Sequence, residues 1–350
     1  GVTVVRGEAR LVGERLADVD GRRLEARRAV VIATGSEAAI PPIPGLADAN
    51  AWTNREATTS EEAPERLIVL GGGVIGVELG QAWFTLGSQV TIVEAAPRLI
   101  AREEQFASKL VHESLVERGV EVRVGSPAAS VSRNGGVTVT LESGEELHGD
   151  ELLVAVGRRV ATADLGLEPF GITPGRPIEV DETLRVPGHD WLYAIGDANG
   201  RAQLTHMGKY QGRVAADVIL GRDARLDDTA GGPLSPRVVF TDPQVAAVGH
   251  TLASAQEAGL RVRAVEVGTS ANAGGSFYGR NAPGTTRLVV DEDRSVIVGA
   301  TFTGAEIADF LHATTVAIVG EVPLDRLWHA VPSFPTRSEV WLRLLEEYGL

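Results

Sequence analysis

The spacing of apolar and polar residues changes near residue 65, and this change separates two kinds of region. Before it, short apolar runs at residues 2–5, 16–19 and 29–33 alternate with turns such as Asp20-Gly21. This pattern predicts a meander that leads into a buried strand. A polar linker at residues 58–65 precedes the next apolar run, and we place a domain boundary there.

After the linker the pattern becomes strand, glycine-rich turn, helix and strand. An apolar strand at 67–70 meets glycines at 71–76, a helical pattern extends to about Leu86, and a second strand covers 90–94. This order predicts a βαβ unit. Further predicted elements are a helix at 105–118, a strand near 120–124, a hairpin at Asn134-Gly135-Gly136, strands at 152–156 and 191–195, a helix at 205–220, strands at 238–240, 261–267, 286–290 and 296–300, and helices at 305–319 and 337–347.

The glycines of this βαβ unit fit the pattern G-x-G-x-x-G. Gly71 permits a tight turn, Gly73 allows a pyrophosphate to approach the backbone, and Gly76 allows close packing of helix on strand. Val74 and Ile75 stand at the start of the helix, whose N-terminus favours negative charge. We predict a dinucleotide site here; the alternative is a glycine turn without a ligand.

Glu94 ends the next strand 18 residues after Gly76. A carboxylate at this place accepts hydrogen bonds from a ribose 2′-hydroxyl and repels a 2′-phosphate, so we predict that NAD(P)H binds with NADH preferred. Arg98, four residues further on, weakens this expectation. The alternative is a solvated glutamate at a strand end.

Composition narrows the functional classes further. The 350 residues are 43% hydrophobic and 23% charged, as in a folded globular protein, and a net charge of −14 argues against nucleic acid and anionic membrane surfaces as partners. Neither a membrane span nor a signal peptide is predicted, which favours a cytoplasmic protein. Without cysteine, these residues provide no thiolate, and no metal site is predicted.

Three further segments point to a family. They are 31–36 (VIATGS), 155–158 (AVGR) and 193–197 (YAIGD), and their order relative to the glycine motif resembles the pyridine nucleotide-disulfide oxidoreductases. That family includes dihydrolipoamide dehydrogenase, mercuric reductase and related quinone reductases. The resemblance extends to residues 239–243, which look like the start of the family's dimerisation domain.

The resemblance implies an α/β fold with two Rossmann-like dinucleotide-binding domains, the first incomplete, followed by an α+β dimerisation domain. It also implies an enzyme that uses FAD and NAD(P)H and works as a homodimer on a small-molecule electron acceptor. The expected domains are 1–64 (part of the FAD-binding domain), 65–158 (NAD-binding domain), 159–230 (the remainder of the FAD-binding domain) and 231–350 (dimerisation domain).

By the same resemblance, Asp197, after Gly196, lies at the ribitol of FAD, and the helix beginning near Thr205 directs its N–H groups at the flavin. Gly157 lines the NAD site and Glu78 lies near the nicotinamide, although the helix dipole alone also favours a glutamate in a first helical turn. Gly196-Asp197 is alternatively a simple turn, and His206 an ordinary polar residue. The remaining residues expected at the cofactors are Thr34, Gly35, Arg158 and Leu204.

The chain departs from the family pattern in two ways. The first glycine motif and the C-x-x-x-x-C pair of disulfide-active members are not found, so we expect the chain to lack the N-terminal FAD-binding segment. The C-terminal H-x-H-P-T-x-x-E motif of those members is also altered. Here Pro332 and Phe334 replace both histidines, whereas Glu339 is kept; His329 lies nearby but out of register.

Phenylalanine transfers no proton, so the acid–base step of thiol chemistry is missing at that position. An aromatic ring there suits stacking on a planar acceptor. We therefore predict hydride transfer from NADH through flavin to a quinone-like or other acceptor without a disulfide relay. Alternatives are a dihydrolipoamide dehydrogenase-like enzyme, a non-catalytic NAD-binding remnant and, for Phe334 alone, a residue that only fills a dimer interface.

Overall fold

A computed structural model describes residues 1–229, 231–279 and 282–350. The strands are β1 Ala9–Gly13, β2 Leu16–Val19, β3 Arg22–Glu25, β4 Val30–Ile32, β5 Ser36–Ala38, β6 Arg66–Leu70, β7 Gln89–Val93, β8 Glu121–Arg123, β9 Ala128–Arg133, β10 Val137–Leu141, β11 Glu146–Gly149, β12 Glu151–Val154, β13 Arg158–Val160, β14 Leu192–Ala194, β15 Arg237–Val239, β16 Gln244–Gly249, β17 Val262–Gly268, β18 Thr285–Asp291 and β19 Val296–Gly304. The α-helices are α1 Asn54–Thr59, α2 Val74–Thr85, α3 Gln105–Arg118, α4 Thr205–Ile219, α5 Leu252–Glu257, α6 Phe310–Val319, α7 Leu324–Leu327 and α8 Glu339–Tyr348.

The chain folds into two compact units, of which the first comprises Gly1–Glu37 and Arg158–Ser235. In this unit β1, β2 and β3 form an antiparallel meander, and β4 pairs in parallel with β14. A short 3-10 turn, Gly196–Asn199, follows β14 and precedes α4. The unit therefore provides the end of a parallel strand and the start of a helix, a combination at which α/β proteins bind ligands.

The second unit comprises Ala38–Gly157 and Pro236–Leu350. Its first part holds a parallel sheet in the order β12-β6-β7-β8, and a small antiparallel sheet in the order β11-β10-β9. The turn after β6 leads into α2, and the loop after β7 leads into α3. Because parallel strands align their carboxyl ends, the glycine turn and Glu94 lie at one edge of this sheet.

The second part of this unit is an antiparallel sheet in the order β15-β16-β19-β18-β17. Helix α6 packs against β16 and β19, and α8 packs against β17 and β18. All nine residues of β19 are buried. This arrangement is the α+β pattern expected after residue 231.

One predicted strand and the predicted start of one helix were wrong. Residues 2–5 form no strand; Val2 and Val4 are 92% and 72% exposed, and an apolar run without a partner strand has no ladder to join. Helix α6 begins at Phe310 rather than at residue 305. Glu306 has a φ of 49°, a left-handed conformation that an α-helix does not accommodate.

The predicted domain boundaries stay a proposal. The second compact unit contains both residues 38–157 and residues 236–350, so the division into units does not test the boundaries of the predicted domains. Within the described part of the chain, no helix combines the length and the apolar character that crossing a membrane requires.

Candidate functional site

The glycine turn between β6 and α2 depends on three glycines for different reasons. Gly71 has a φ of 107°, and a Cβ there would lie 2.5 Å from the carbonyl oxygen of Ala155. A Cβ at Gly76 would lie 1.8 Å from the carbonyl oxygen of Gly71, whereas a Cβ at Gly73 meets no heavy atom within 4 Å. Gly71 and Gly76 are thus required by packing, and Gly73 leaves open the face from which a ligand approaches.

The start of α2 is available to an anion. Gly73 is its N-cap, and no side chain of the described residues accepts a hydrogen bond from its first turn. The N–H groups of Val74 and Ile75 have no partner within the helix, and the helix dipole adds positive potential there. These features fit the pyrophosphate of a dinucleotide.

Glu94 is fixed at the end of β7 by two backbone donors. Its Oε2 accepts from the N–H of Gly72 at 2.5 Å, and its Oε1 accepts from the N–H of Ala96 at 2.6 Å. Each carboxylate oxygen keeps a further acceptor position for a ribose hydroxyl. The side chain is therefore oriented by the same turn that receives the pyrophosphate.

Arg98, which weakened the expectation of NADH, is occupied elsewhere. Its Nη1 donates to the carbonyl oxygen of Glu103 at 2.9 Å, and its Nη2 donates to that of Ala101. The guanidinium thus braces its own loop, where it is engaged by two carbonyl groups.

Gly157 lies beside the glycine turn. The segment before it contacts Gly71, since a Cβ on Gly71 would lie 2.9 Å from the nitrogen of Val156. Gly157 itself has a φ of 140° and is exposed, and its carbonyl oxygen accepts from the N–H of Ala39 at 3.0 Å. The structure brings Gly157 to the turn, and its role in lining an NAD site stays a prediction.

Glu78 lies on α2, and its carboxylate accepts from the N–H of Phe240 at 2.7 Å. Burial raises the pKa of Glu78, and the hydrogen bond from Phe240 opposes this shift. One turn further along, Gln81 accepts from the N–H of Asp242 at 2.9 Å. Both side chains hold the segment after β15, a contact that the sequence did not indicate.

In the first unit, Arg158 and Asp197 meet at Ser36. Arg158 donates from Nε to Ser36 Oγ at 2.6 Å and from Nη2 to the Ser36 carbonyl oxygen at 2.6 Å. Ser36 Oγ in turn donates to Asp197. Asp197 is thus oriented through a side chain that stands 161 positions earlier in the sequence.

Gly196 and the start of α4 are held by buried amides. The N–H of Gly196 donates to Gln211 Oε1 at 2.7 Å, and Asn199 Nδ2 donates to the same oxygen at 2.9 Å. Gly196 has a φ of 64°, and a Cβ on Gly208 would lie 3.3 Å from its Cα. Two glycines therefore allow α4 to start close to the turn after β14.

The other predicted FAD residues surround this helix start and the end of β4. Leu204 is the N-cap of α4, and no described side chain caps the helix. Thr34, Thr205 and His206 are exposed, whereas Gly35 is half-buried. Exposed groups beside an uncapped helix N-terminus fit a flavin ring, which carries negative charge when it is reduced.

The two sites also contain residues that the sequence analysis missed. Ser36, Asn199 and Gln211 orient the predicted residues without belonging to the predicted set. Ser36 follows Gly35 directly in the family segment, which was the one local signal; Gln211 lies mid-helix and gave none.

The altered C-terminal motif separates into an exposed and a buried part. Phe334 is 77% exposed, and His329 is also exposed. Glu339 is 8% exposed, and its Oε2 has no hydrogen-bond partner among the described residues. The described residues contain no cluster of histidine and carboxylate groups able to hold a metal ion.

Comparison with known proteins gives matches over most of the chain. The family described as pyridine nucleotide-disulphide oxidoreductase matches residues 1–212, and its dimerisation domain matches residues 235–344. The chain is 35% identical over 337 residues to a mercuric reductase of Shigella flexneri, covering 93% of this chain and 58% of the relative. It is 33% identical over 358 residues to a dihydrolipoyl dehydrogenase of Bacillus subtilis, covering 99% and 74% respectively. The chain thus spans little more than half the length of some curated relatives that it matches.

Solved structures agree with this placement. LpdA from Mycobacterium tuberculosis superposes with a TM-score of 0.88 at 26% identity, covering 100% of this chain and 78% of that one. The HOCl-induced flavoprotein disulfide reductase RclA from Escherichia coli gives 0.87 at 26% identity, covering 98% and 79%.

These matches confirm the predicted α/β fold with a dimerisation domain, and the relatives are named as reductases and dehydrogenases, in agreement with the predicted enzyme class. The chain belongs to the pyridine nucleotide-disulphide oxidoreductase family.

Proposed function

We propose that this chain carries the NADH site and part of the FAD site of an oxidoreductase that reduces a planar, quinone-like acceptor without a disulfide relay. Bound FAD would supply the two-electron chemistry that links hydride donation by NADH to reduction of the acceptor, and the acceptor would also take up protons. The protein's residues bind and orient both cofactors and select the acceptor.

For NADH, the proposal assigns the pyrophosphate to the start of α2 and the adenosine ribose to Glu94. Support comes from the open face at Gly73 and from the two backbone N–H groups that fix Glu94. The preference for NADH over NADPH is supported by Arg98, because loop carbonyls use donors of its guanidinium that would otherwise bind a 2′-phosphate.

For FAD, the proposal assigns Asp197 to the ribitol and the start of α4 to the flavin ring. Ser36 and Arg158 hold the Asp197 carboxylate in one orientation, and they occupy part of its acceptor capacity. The uncapped helix start stabilises negative charge on the reduced ring system.

The observation that carries the choice of acceptor is Phe334. Its ring is 77% exposed at the position where disulfide-active members of the family have a histidine. An exposed ring adds nothing to the core of its own domain, and it is available for stacking on a planar acceptor or for contact with a second subunit. Homodimer formation through the dimerisation domain, and a cytoplasmic location, stay predictions.

A second candidate is a disulfide reductase. Relatives of 33–35% identity are named dihydrolipoyl dehydrogenase and mercuric reductase, and this favours thiol chemistry. Against it, thiol chemistry in this family needs an imidazole that transfers a proton, and Phe334 cannot replace it. One oxygen of the Glu339 carboxylate has no hydrogen-bond partner among the described residues, so no imidazole is seen there either.

The experiment is an anaerobic titration of the full-length protein with NADH, followed by a soluble quinone or by lipoamide. We expect the visible flavin absorbance to bleach with NADH and to return with quinone only. Phe334→Ala should weaken quinone use by about 0.5–1.5 kcal/mol in kcat/KM, the value of one aromatic contact. Val331→Ala, which removes an exposed side chain from the same loop, is the matched control.

Return of the absorbance with lipoamide would support the disulfide reductase and refute the proposed acceptor. A protein that binds NADH but retains no flavin would support the non-catalytic alternative.

A further inference from the structure

The loop between Glu94 and α3, residues 95–104, covers the glycine turn. The N–H of Ile100 donates to the carbonyl oxygen of Gly72 at 2.8 Å. A Cβ on Gly72 would lie 2.4 Å from Leu99 Cδ2, so the leucine occupies the space that the glycine leaves. Because Glu94 accepts from the N–H of Gly72, this glycine is held both by the loop and by the residue that precedes the loop.

The 95–104 loop contains no glycine, and several hydrogen bonds hold it in one conformation. Arg98 ties it together through the carbonyl groups of Ala101 and Glu103, and Ser108 Oγ donates to the carbonyl oxygen of Leu99 at 2.6 Å. Ile100 has a φ of 39°, which an isoleucine adopts only when its surroundings impose it. The conformation that covers the glycine turn therefore depends on the hydrogen bonds that the loop makes with itself and with α3.

Glu103 attaches the end of the loop to the dimerisation domain. It is 6% exposed, and it accepts from Arg237 Nε at 2.7 Å and from Arg237 Nη2 at 3.0 Å. Arg237 begins β15. A two-point contact between a guanidinium and a carboxylate fixes both distance and angle, so it positions the loop and does more than attract it.

Glu104 makes a second attachment beside the first. It is the N-cap of α3, yet its side chain does not cap that helix. Its Oε1 accepts from the N–H of Leu252 at 2.8 Å, and its Oε2 accepts from Arg287 Nη1 at 2.6 Å. Arg287 also donates to Glu266 and lies 5.0 Å from the centre of the Phe106 ring. A side chain at the N-cap often stabilises its own helix, whereas the Glu104 side chain joins two domains.

We infer that Glu103 and Glu104 are positioning residues for the nicotinamide dinucleotide: through them the dimerisation domain fixes the turn that receives the adenosine ribose and pyrophosphate. Neither carboxylate touches the nucleotide. They act through Ile100 and Leu99 on Gly72, and so on Glu94. The inference rests on the proposed NADH site.

The test uses the full-length, FAD-loaded protein with Glu103→Gln and Glu104→Gln combined. Glutamine keeps the size of each side chain but removes the carboxylate charge that faces Arg237 and one of the two carboxylate charges that face Arg287. We expect the Kd for NADH and for ADP-ribose to rise about tenfold, within the usual range of coupling between linked sites. The kcat at saturating NADH and the bound FAD should stay within about twofold, because no transition-state contact is removed.

Asp293→Asn is the control, because it removes an exposed ion pair with Arg261 from the same domain. It should leave the Kd values, kcat and FAD content unchanged. If the double variant does not fold, the two single variants are measured, and each should give a smaller rise in both Kd values.

Unchanged Kd values in a folded double or single variant would overturn the inference, and so would a fall in kcat with unchanged Kd. A wild-type protein that binds neither NADH nor ADP-ribose would instead refute the proposed site, and the inference with it. The wild-type titration therefore separates the two failures.

Discussion

The two regions proposed to bind cofactors orient a carboxylate by different means. Each sets a carboxylate beside a helix start that no described side chain caps. Glu94 is fixed by backbone N–H groups of residues close to it in the fold's βαβ unit. Asp197 is fixed through Ser36 and Arg158, side chains from distant parts of the sequence.

The difference bears on how each site responds to substitution. A carboxylate held by backbone donors keeps its orientation as long as the turn is formed, so the NADH site fails when the glycine turn fails. A carboxylate held by side chains can lose its orientation while the fold stays intact. The FAD region should therefore be sensitive to single side-chain changes that leave stability almost unaffected.

The largest effect is expected from Gly76→Ala. Its Cβ would overlap the carbonyl oxygen of Gly71, so we expect a loss of about 1–3 kcal/mol in the free energy of unfolding, together with loss of NADH binding. Gly73→Ala is the matched control: its φ is −74° and its Cβ is unobstructed, so stability should be kept. NADH should still bind more weakly to the Gly73 variant, because the methyl group lies in the path of the pyrophosphate.

Denaturant unfolding and NADH titration separate these outcomes. Equal stability of the two alanine variants would show that close packing at the turn does not require a glycine at position 76.

The second effect concerns the choice of nucleotide. Glu94→Gln replaces a charged acceptor by a neutral one, and hydrogen bonds to charged groups are worth about 1.5–3 kcal/mol. We expect the ratio of kcat/KM for NADH to that for NADPH to fall by about tenfold to a hundredfold. An unchanged ratio would contradict the assignment of Glu94 to the adenosine ribose. Glu113→Gln, an exposed position on α3, is the control.

The third prediction tests the region held by side chains. Ser36→Ala removes the group that joins Arg158 to Asp197, and we expect FAD to bind more weakly by about 1 kcal/mol, the net value of one hydrogen bond. Thermal stability should change little.

Flavin release followed by fluorescence measures this effect. Asp217 lies on α4 and forms an exposed ion pair with Arg222. The Asp217→Asn variant, which loses this pair, should release FAD at the wild-type rate. If Ser36→Ala retains FAD as the wild type does, the side-chain cluster does not orient the Asp197 carboxylate for FAD binding.

The smallest effect is a dependence of stability on pH. Burial raises the pKa of Glu78 in the folded protein, so the folded state binds more protons than the unfolded state between the two pKa values. Its contribution to stability therefore falls as the pH rises through that range and stays lower above it. Glu78→Gln, which keeps an acceptor for the Phe240 N–H, should be more stable than wild type at neutral pH.

That advantage should disappear on acidification below the ordinary glutamate pKa, and thermal unfolding at several pH values checks it. An advantage that stays constant with pH would show that charge is not its cause.

The sequence predicted the βαβ unit well because each part of it is local. The apolar strand, the glycine spacing and the helical period lie within thirty residues, and α3 was found at its predicted bounds, Gln105–Arg118. The glycine at each turn also follows from local sterics. For the same reason Glu94 was found as a candidate, since its distance from the motif is set by one helix and one strand.

Contacts between distant segments could not be predicted from the sequence. Ser36 is polar and unremarkable by composition, and only the fold brings it to Arg158 and Asp197. Glu103 and Glu104 look like a solvated pair before a helix, whereas burial against Arg237 and Arg287 gives them a different role. The start of α6 was mispredicted because the left-handed Glu306 has no sequence signal of the kind that glycine gives.

The paired carboxylates at the start of α3 bear on modularity. A Rossmann-type domain is commonly treated as a unit that can be moved between proteins. Here the unit ends in two buried acids whose partners, Arg237 and Arg287, are encoded more than a hundred residues downstream. A chimera that grafts residues 65–158 onto an unrelated C-terminal domain would carry two unneutralised buried charges, so recombination of this chain's domains is constrained to partners that supply both arginines.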